Sequence, residues 1–332
     1  MNKKIVYLFV IVFSLLVMSA TSSFAITALP QNAENISVDV NEAEIETKEM
    51  SILKRIGLRD KFKRSPEAQI QSFFKKYTKY SEKNEIDKLK ELYSDVYVNN
   101  DGFTKNTLFE VMKQASEAYK DVEYNTEILS ISVNGSYATV KLHEIATGET
   151  SQKATQLNDY GFICSDLYFT NHLRKEDGKW KIIASQIETE QVALKYGEAK
   201  NMKVNIQAPQ VVPEGSEYEV SVRVDAPDGV LIVGSIVNEL IKFPQVQAKD
   251  VLRAIKYEEL ARILKSNKEN YNEYATVSLG LTRPRIEPPS VVIDMTGMAI
   301  VMSRVNVLPA NAVNIKEIKD GEKSTSTPAS EK

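Results

Sequence analysis

The sequence predicts an α+β cone, in which three helices pack on a curved antiparallel sheet, followed by an all-β sandwich with a helical insertion. Three features of the pattern predict this fold class. Apolar residues repeat at helical spacing after Ser65, and from Tyr119 onward they alternate with a period of two, which is typical of half-buried strands. A second stretch of alternation begins near Lys203, beyond a polar joint at Tyr196–Met202. The chain therefore reads as two domains.

The helices of the first domain are predicted by their caps and stripes. Ser65-Pro66-Glu67 combines a capping side chain, a proline suited to the first helical position and an acid suited to the positive end of a helix. The apolar stripe that follows is Ile70, Phe73, Phe74 and Tyr77. A second short helix is expected from Asn84, and Thr104 is expected to cap a third.

The strands are predicted by alternation and by turn signals. Asn134-Gly135 and Asp177-Gly178 indicate tight hairpin turns, because Gly accepts a positive φ at no steric cost. Between them, Phe162–Arg174 reads as one long strand. In the second domain, Glu217–Asp225 alternates clearly, and 249–265 reads as a helix inserted into the sandwich.

The resulting domain plan has five parts. Residues 1–25 form a signal peptide, 26–64 a charged linker, 65–198 the α+β domain and 201–310 the sandwich, while 311–332 form a disordered tail. The tail is too polar to bury a core. The linker ends in Ile52–Arg64, which reads either as a solvated charged segment or as a basic amphipathic helix that touches a membrane.

The N-terminus predicts export. Lys3 and Lys4 precede an apolar run, Ile5–Met18, that is short for a membrane span, and Ser23-Phe24-Ala25 fits the small-x-small cleavage rule. We expect cleavage after Ala25 and a periplasmic or extracellular protein, with an uncleaved N-terminal anchor as the alternative.

Composition excludes several function classes. The chain has 332 residues, 42% hydrophobic and 26% charged, with a net charge of −3, so no strong basic field predicts nucleic-acid binding. Cys164 is the only cysteine, so an internal disulfide is excluded. Two histidines and one cysteine without ligand-pair spacing predict no metal site, and no cofactor motif is present.

The first domain resembles the nuclear-transport-factor-2-like (NTF2-like) superfamily, the cone fold shared with SnoaL-like and DUF4440-type proteins. The resemblance is carried by the Phe73–Tyr77 stripe, by "IDKLKELYSDVYV" and by "DGKWKIIASQ" at the last hairpin. It implies a pocket or core lined by Trp180, Phe73, Phe74, Tyr77 and Gln186, and a homodimer through the sheet. The second domain resembles bacterial immunoglobulin-like modules in its alternation.

One strand carries a candidate acid–base row. By parity, Cys164, Asp166, Tyr168 and His172 share one face of the long strand, and Asp166, Tyr168 and His172 could move protons in a pocket. The same parity describes an ordinary solvated face. Enzymatic SnoaL-like proteins often place a histidine near the end of the last strand, whereas Ser185–Glu188 contains none.

The sequence therefore favours a non-enzymatic cell-envelope protein that binds an envelope protein or a small apolar ligand and acts as a binding or scaffolding module. The alternative is a small pocket enzyme, of isomerase or hydrolyase type, that works by proton transfer in the cone. No cofactor, metal or nucleic acid is expected in either case.

Overall fold

The computed structural model describes residues 65–244, 253–255, 259–288 and 290–312. The predicted signal peptide, the charged linker with Ile52–Arg64, and nearly all of the predicted tail lie outside these residues. Part of the predicted insertion, 249–252 and 256–258, also lies outside them.

Three α-helices lie in the first half of the described chain: α1 Pro66–Glu82, α2 Ile86–Glu91 and α3 Lys105–Ala118. The Oγ of Ser65 accepts a hydrogen bond from the Ala68 amide at 3.2 Å, which confirms the predicted cap of α1. The Oγ1 of Thr104 accepts from the Thr107 amide at 3.5 Å at the start of α3. A short 3₁₀ turn, Glu198–Asn201, joins the two halves.

Most of the remaining described chain is strand. The first half contains β1 Tyr93–Asn99, β2 Tyr119–Asn134, β3 Tyr137–Ala154, β4 Asp159–Glu176 and β5 Lys179–Gly197. The second half contains β6 Val204–Gln207, β7 Val211–Pro213, β8 Glu217–Val224, β9 Leu231–Leu240, β10 Arg253–Ala254, β11 Glu259–Lys265, β12 Glu273–Glu287 and β13 Ser290–Leu308. The β4–β5 turn has φ of 49° at Asp177 and 77° at Gly178, the left-handed geometry that its sequence predicted.

One ten-stranded sheet runs through both halves. Its main path is β10-β9-β12-β13-β5-β4-β3-β2, with β1 paired to β5 and β7 paired to β13. The two halves join where β13 pairs antiparallel with β5, from Gly297↔Gly197 to Ser303↔Gln191. Backbone hydrogen bonds therefore continue across the predicted domain boundary.

A smaller sheet, β11-β8-β6, forms a second layer in the second half. Its inward side chains, among them Val220 and Val222, pack with Val277 and Val301 of the large sheet in one buried cluster. The alternation of Glu217–Val224 is buried on every second residue, as strand periodicity requires.

The predicted fold class was wrong. The described chain is mainly β, with short helices placed against one part of a long sheet, and it is not a three-helix cone followed by a separate sandwich. The predicted helix at 249–265 is also wrong where the structure describes it, since Glu259–Lys265 is strand β11 and pairs with β8. Cross-strand pairing overrides local helix propensity there.

The hydrophobic core likewise crosses the boundary. The cluster that contains the helical stripe of α1 also includes Ile241, Tyr274, Ile300 and Met302 from the second half. The two-domain interpretation predicts that Ser65–Lys200 and Lys203–Ala310 each unfold cooperatively as separate chains. This stays a prediction, and the sheet and core that the two halves share weigh against it.

Candidate functional site

The predicted acid–base row lies on the outer face of the sheet. Asp166 Oδ1 lies 2.9 Å from His143 Nε2, and the His143 ring stacks on Tyr168 at 4.1 Å. The Asp166 side chain is 52% exposed. Even-numbered residues of β4 from Phe162 to Tyr168 are exposed or half-buried, while the odd-numbered ones are buried. Water rather than a closed cavity therefore faces this pair.

His172 is not part of the same constellation. Its Nδ1 lies 3.3 Å from Thr139 Oγ1 on β3. Burial, and then the charge of Asp166, raises the pKa of the Cys164 thiol, which makes Cys164 a poor nucleophile at neutral pH. The structure brings His143, Asp166 and Tyr168 together and leaves His172 apart.

The residues expected to line the interior are mostly buried. Phe73, Phe74, Tyr77 and Trp180 all belong to the main core, and Trp180 is 6% exposed. Gln186, which was expected with them, is exposed on β5. Trp180 follows the β4–β5 turn and closes the core beside α1, with the Lys175 ammonium 4.7 Å from its ring centroid.

The interior also contains a polar cluster that the sequence reasoning missed. Tyr77 and Tyr93 share a hydrogen bond of 2.9 Å between their hydroxyls. Glu144 on β3 is fully buried and accepts a hydrogen bond from Thr126 on β2. Parity could have found it, because Glu144 continues the inward series that begins at Ala138.

The tyrosines of this cluster are neutral at ordinary pH. Burial is the largest cause that raises the pKa of Tyr77, followed by Tyr93 and then Glu144. Burial also raises the pKa of Tyr93 and, with Glu144, that of Tyr124. A cavity of about 200 Å³ between α1, α3 and β2 reaches Tyr124. Neutral phenols beside a buried carboxyl are a donor and acceptor set able to relay a proton.

A second buried polar cluster lies at the junction of the halves. Arg304 on β13 donates to both carboxylate oxygens of Asp101, at 2.5 and 3.2 Å, and its Nη1 lies 3.9 Å from Glu190 Oε2. Tyr274 on β12 donates to the same Glu190 oxygen at 2.7 Å. Burial raises the pKa of Glu190 to about 7, against the opposing effects of Arg304 and Tyr274.

In the described part of the chain, no group of three or more His, Cys, Asp or Glu residues is arranged to hold a metal ion. Among the same residues, no helix has both the length and the apolar character needed to cross a bilayer.

No protein-family model matches the chain, and no curated protein matches it. Several solved structures are similar to part of it. A protein assigned as a scytalone dehydratase from Novosphingobium aromaticivorans is 14% identical, with 36% of this chain and 81% of that chain covered and a TM-score of 0.32. A conserved protein from Planctomyces limnophilus is 12% identical, with 37% and 95% covered and a TM-score of 0.33.

Hexachlorocyclohexane dehydrochlorinase LinA-type3 from Novosphingobium barchaimii is 14% identical, with 36% and 84% covered and a TM-score of 0.30. Each of the three matches covers about a third of this chain, and at such TM-scores they carry no argument about fold family, activity, substrate or assembly. The NTF2-like and immunoglobulin-like resemblances both stay predictions.

Proposed function

We propose that this protein is a non-enzymatic binding module, in which a rigid sheet presents a surface site to its ligand. The observation that carries the proposal is the packed interior of the first half, where the cavity that reaches Tyr124 has a volume of only about 200 Å³. The large side chains that point inward from α1, β1 and α3 pack against one another, including Phe73, Tyr93 and Phe109, and all are at least nine-tenths buried. A catalytic cone instead needs an interior space for its substrate.

The continuous sheet supports the same proposal. Since β5 and β13 are hydrogen-bonded over seven residue pairs, the second half extends the first as one platform. A rigid platform holds binding residues in place at low entropic cost. The outer face, with Asp166 and Tyr168, is open for contact with a second copy or an envelope protein.

A screen of small neutral molecules by ligand-observed NMR tests the packed-interior argument. We expect no molecule whose binding depends on Glu144. The parent is compared with Glu144→Gln, which keeps the side-chain size, and with Asp166→Asn on the outer face as a matched control. A compound that binds the parent and the control, but not Glu144→Gln, would contradict the proposal.

The second candidate is a pocket enzyme that transfers a proton, and the buried Glu144 favours it. A carboxyl group in an apolar core is costly, and such groups concentrate at functional sites. In this hypothesis Glu144 is the acid–base group, and the Tyr77–Tyr93 pair donates hydrogen bonds to the substrate. The names dehydratase and dehydrochlorinase describe eliminations, a reaction class that begins with such a proton transfer, but the weak similarity gives these names no weight here.

Export belongs to the proposal as well. We propose that cleavage after Ala25 leaves a mature chain that begins at Ile26 and that acts in the cell envelope. N-terminal sequencing of the protein isolated from its native cells tests this, and an intact Met1 in the membrane fraction would support the uncleaved anchor instead.

A further inference from the structure

A large open groove lies between α1, α2 and the β4–β5 hairpin. Its volume is about 820 Å³, and it is separate from the buried Glu144 cluster. We call it the lysine groove. The lysines that line it are Lys76, Lys88, Lys90, Lys105, Lys179 and Lys181.

The groove carries a positive charge, whereas the protein as a whole has a negative net charge. Its lining contains six lysines and two carboxylates, Asp87 and Glu91, whereas the whole chain carries a net charge of −3. Three of the lysines pair with carboxylates outside the lining, so the positive charge of the groove comes from the other three. A concave surface with one sign of charge raises the local concentration of oppositely charged ligands. The surplus of positive charge in the groove therefore predicts an anionic ligand.

Three of the lysines are already engaged. Lys105 donates to the Tyr93 carbonyl at 2.9 Å and to Asp95 at 2.7 Å. Lys88 pairs with Glu85 at 3.0 Å, and Lys181 lies 3.7 Å from Glu176.

The other three have no ion pair within the described residues. Lys76 on α1, Lys90 on α2 and Lys179 on the β4–β5 hairpin are all exposed. They come from three different elements around one groove, so a ligand with several negative groups could contact them together.

The groove is also lined by Trp180, whose buried indole Nε1 has no hydrogen-bond acceptor in the described residues. Phe73 and Tyr80 supply apolar lining beside it.

We propose that the lysine groove binds a soluble ligand that carries several phosphate groups. The lining contains six lysines and no arginine. Lysine binds phosphate as a point charge at the end of a flexible side chain, so lysines from separate elements can converge on phosphate groups without a fixed geometry. The volume suits a ligand of drug size or a short chain of repeating units. The inference goes beyond the proposed function, because it assigns a second site, away from the outer face with Asp166 and Tyr168, and gives that site a ligand class.

The fluorescence of Trp180 can report ligand binding directly, because it is the only tryptophan in the chain. The full-length protein is titrated with inorganic tripolyphosphate and with long-chain polyphosphate, and the tryptophan emission is followed. We expect saturable binding that weakens as salt is added, because the contacts are ionic. Lys76→Glu/Lys179→Glu should weaken it by about tenfold or more, since charge reversal in a complementary site repels the ligand.

Lys75→Glu/Lys113→Glu is the charge-matched control, because both residues are exposed and lie outside the groove lining. It should bind like the parent. Equal weakening in both double variants, or no binding by the parent, would overturn the proposal. Equally tight binding of polyglutamate would overturn the phosphate assignment, and binding only to phosphatidylglycerol vesicles would assign the groove to a membrane surface instead. None of these failures touches the packed-interior argument, which the Glu144 screen tests separately.

Discussion

Glu144 and Glu190 are both buried on the large sheet, yet their surroundings differ. Glu144 lies inside the first half, bonded to Thr126 and near neutral tyrosines. Glu190 lies at the junction, where its neighbours Tyr274 and Arg304 come from the second half. Glu144 is enclosed by the core of the first half alone, whereas Glu190 is enclosed only when both halves are folded. The joint is therefore a buried polar network rather than a linker.

The largest expected effect comes from breaking this network. Arg304→Met should lower the free energy of unfolding by about 3–5 kcal/mol, because it leaves the buried Asp101 charge without its partner. Arg283→Met is the matched control, since its pair with Glu198 is partly exposed and should matter much less. Denaturant unfolding measures both. Equal losses in the two variants would mean that the junction is no stronger than a surface ion pair.

The interior of the first half is tested by Trp180→Ala. Truncation of this 6% exposed side chain should cost about 3 kcal/mol through lost burial and a residual cavity. Tyr168→Ala on the outer face, 40% exposed in the parent, should cost far less. Thermal unfolding of both variants decides whether Trp180 supports the core, and a negligible change in its melting temperature would show that it does not.

The junction should also respond to pH. The folded pKa of Glu190, about 7, lies above its ordinary value of 4.5, so the folded state binds the proton more tightly. The contribution of Glu190 to stability is complete below pH 4.5 and is lost as the pH rises through 7, by roughly 3 kcal/mol.

Glu190→Gln removes this titration and should gain stability relative to the parent between pH 5 and pH 8. Denaturant unfolding at several pH values gives the difference, and subtracting the parent curve cancels the other titrating groups. A difference that stays constant with pH would contradict the assignment.

The smallest effects are expected on the outer face. Asp166→Asn and His172→Gln should each change the free energy of unfolding by no more than about 0.5 kcal/mol, because surface substitutions away from a core usually do. Thermal unfolding at neutral pH measures them. A clear gain in stability for Asp166→Asn would indicate a strained, functional carboxylate. It would support the hypothesis that Asp166, Tyr168 and His172 transfer protons.

The sequence could predict features that depend on near neighbours. The structure confirms the Ser65 cap, the apolar stripe of α1 and the Asp177-Gly178 turn, each of which involves residues at most seven positions apart. The burial of Trp180 also followed from its place beside that turn. The side on which Asp166 and His172 lie was left undecided, because alternation gives two faces and does not say which of them meets the helices.

Tertiary structure decided everything that joins distant residues. The residues around Glu259 form strand β11 and not the predicted helix, because pairing with β8 outweighs the helical pattern of their side chains. The pairing of β5 with β13, and with it the Arg304–Asp101–Glu190 cluster, joins positions up to 203 residues apart. The lysine groove likewise gathers Lys76, Lys90 and Lys179 from three elements. Local pattern determined most of the elements but not β11, and only long-range packing determined which charges became neighbours.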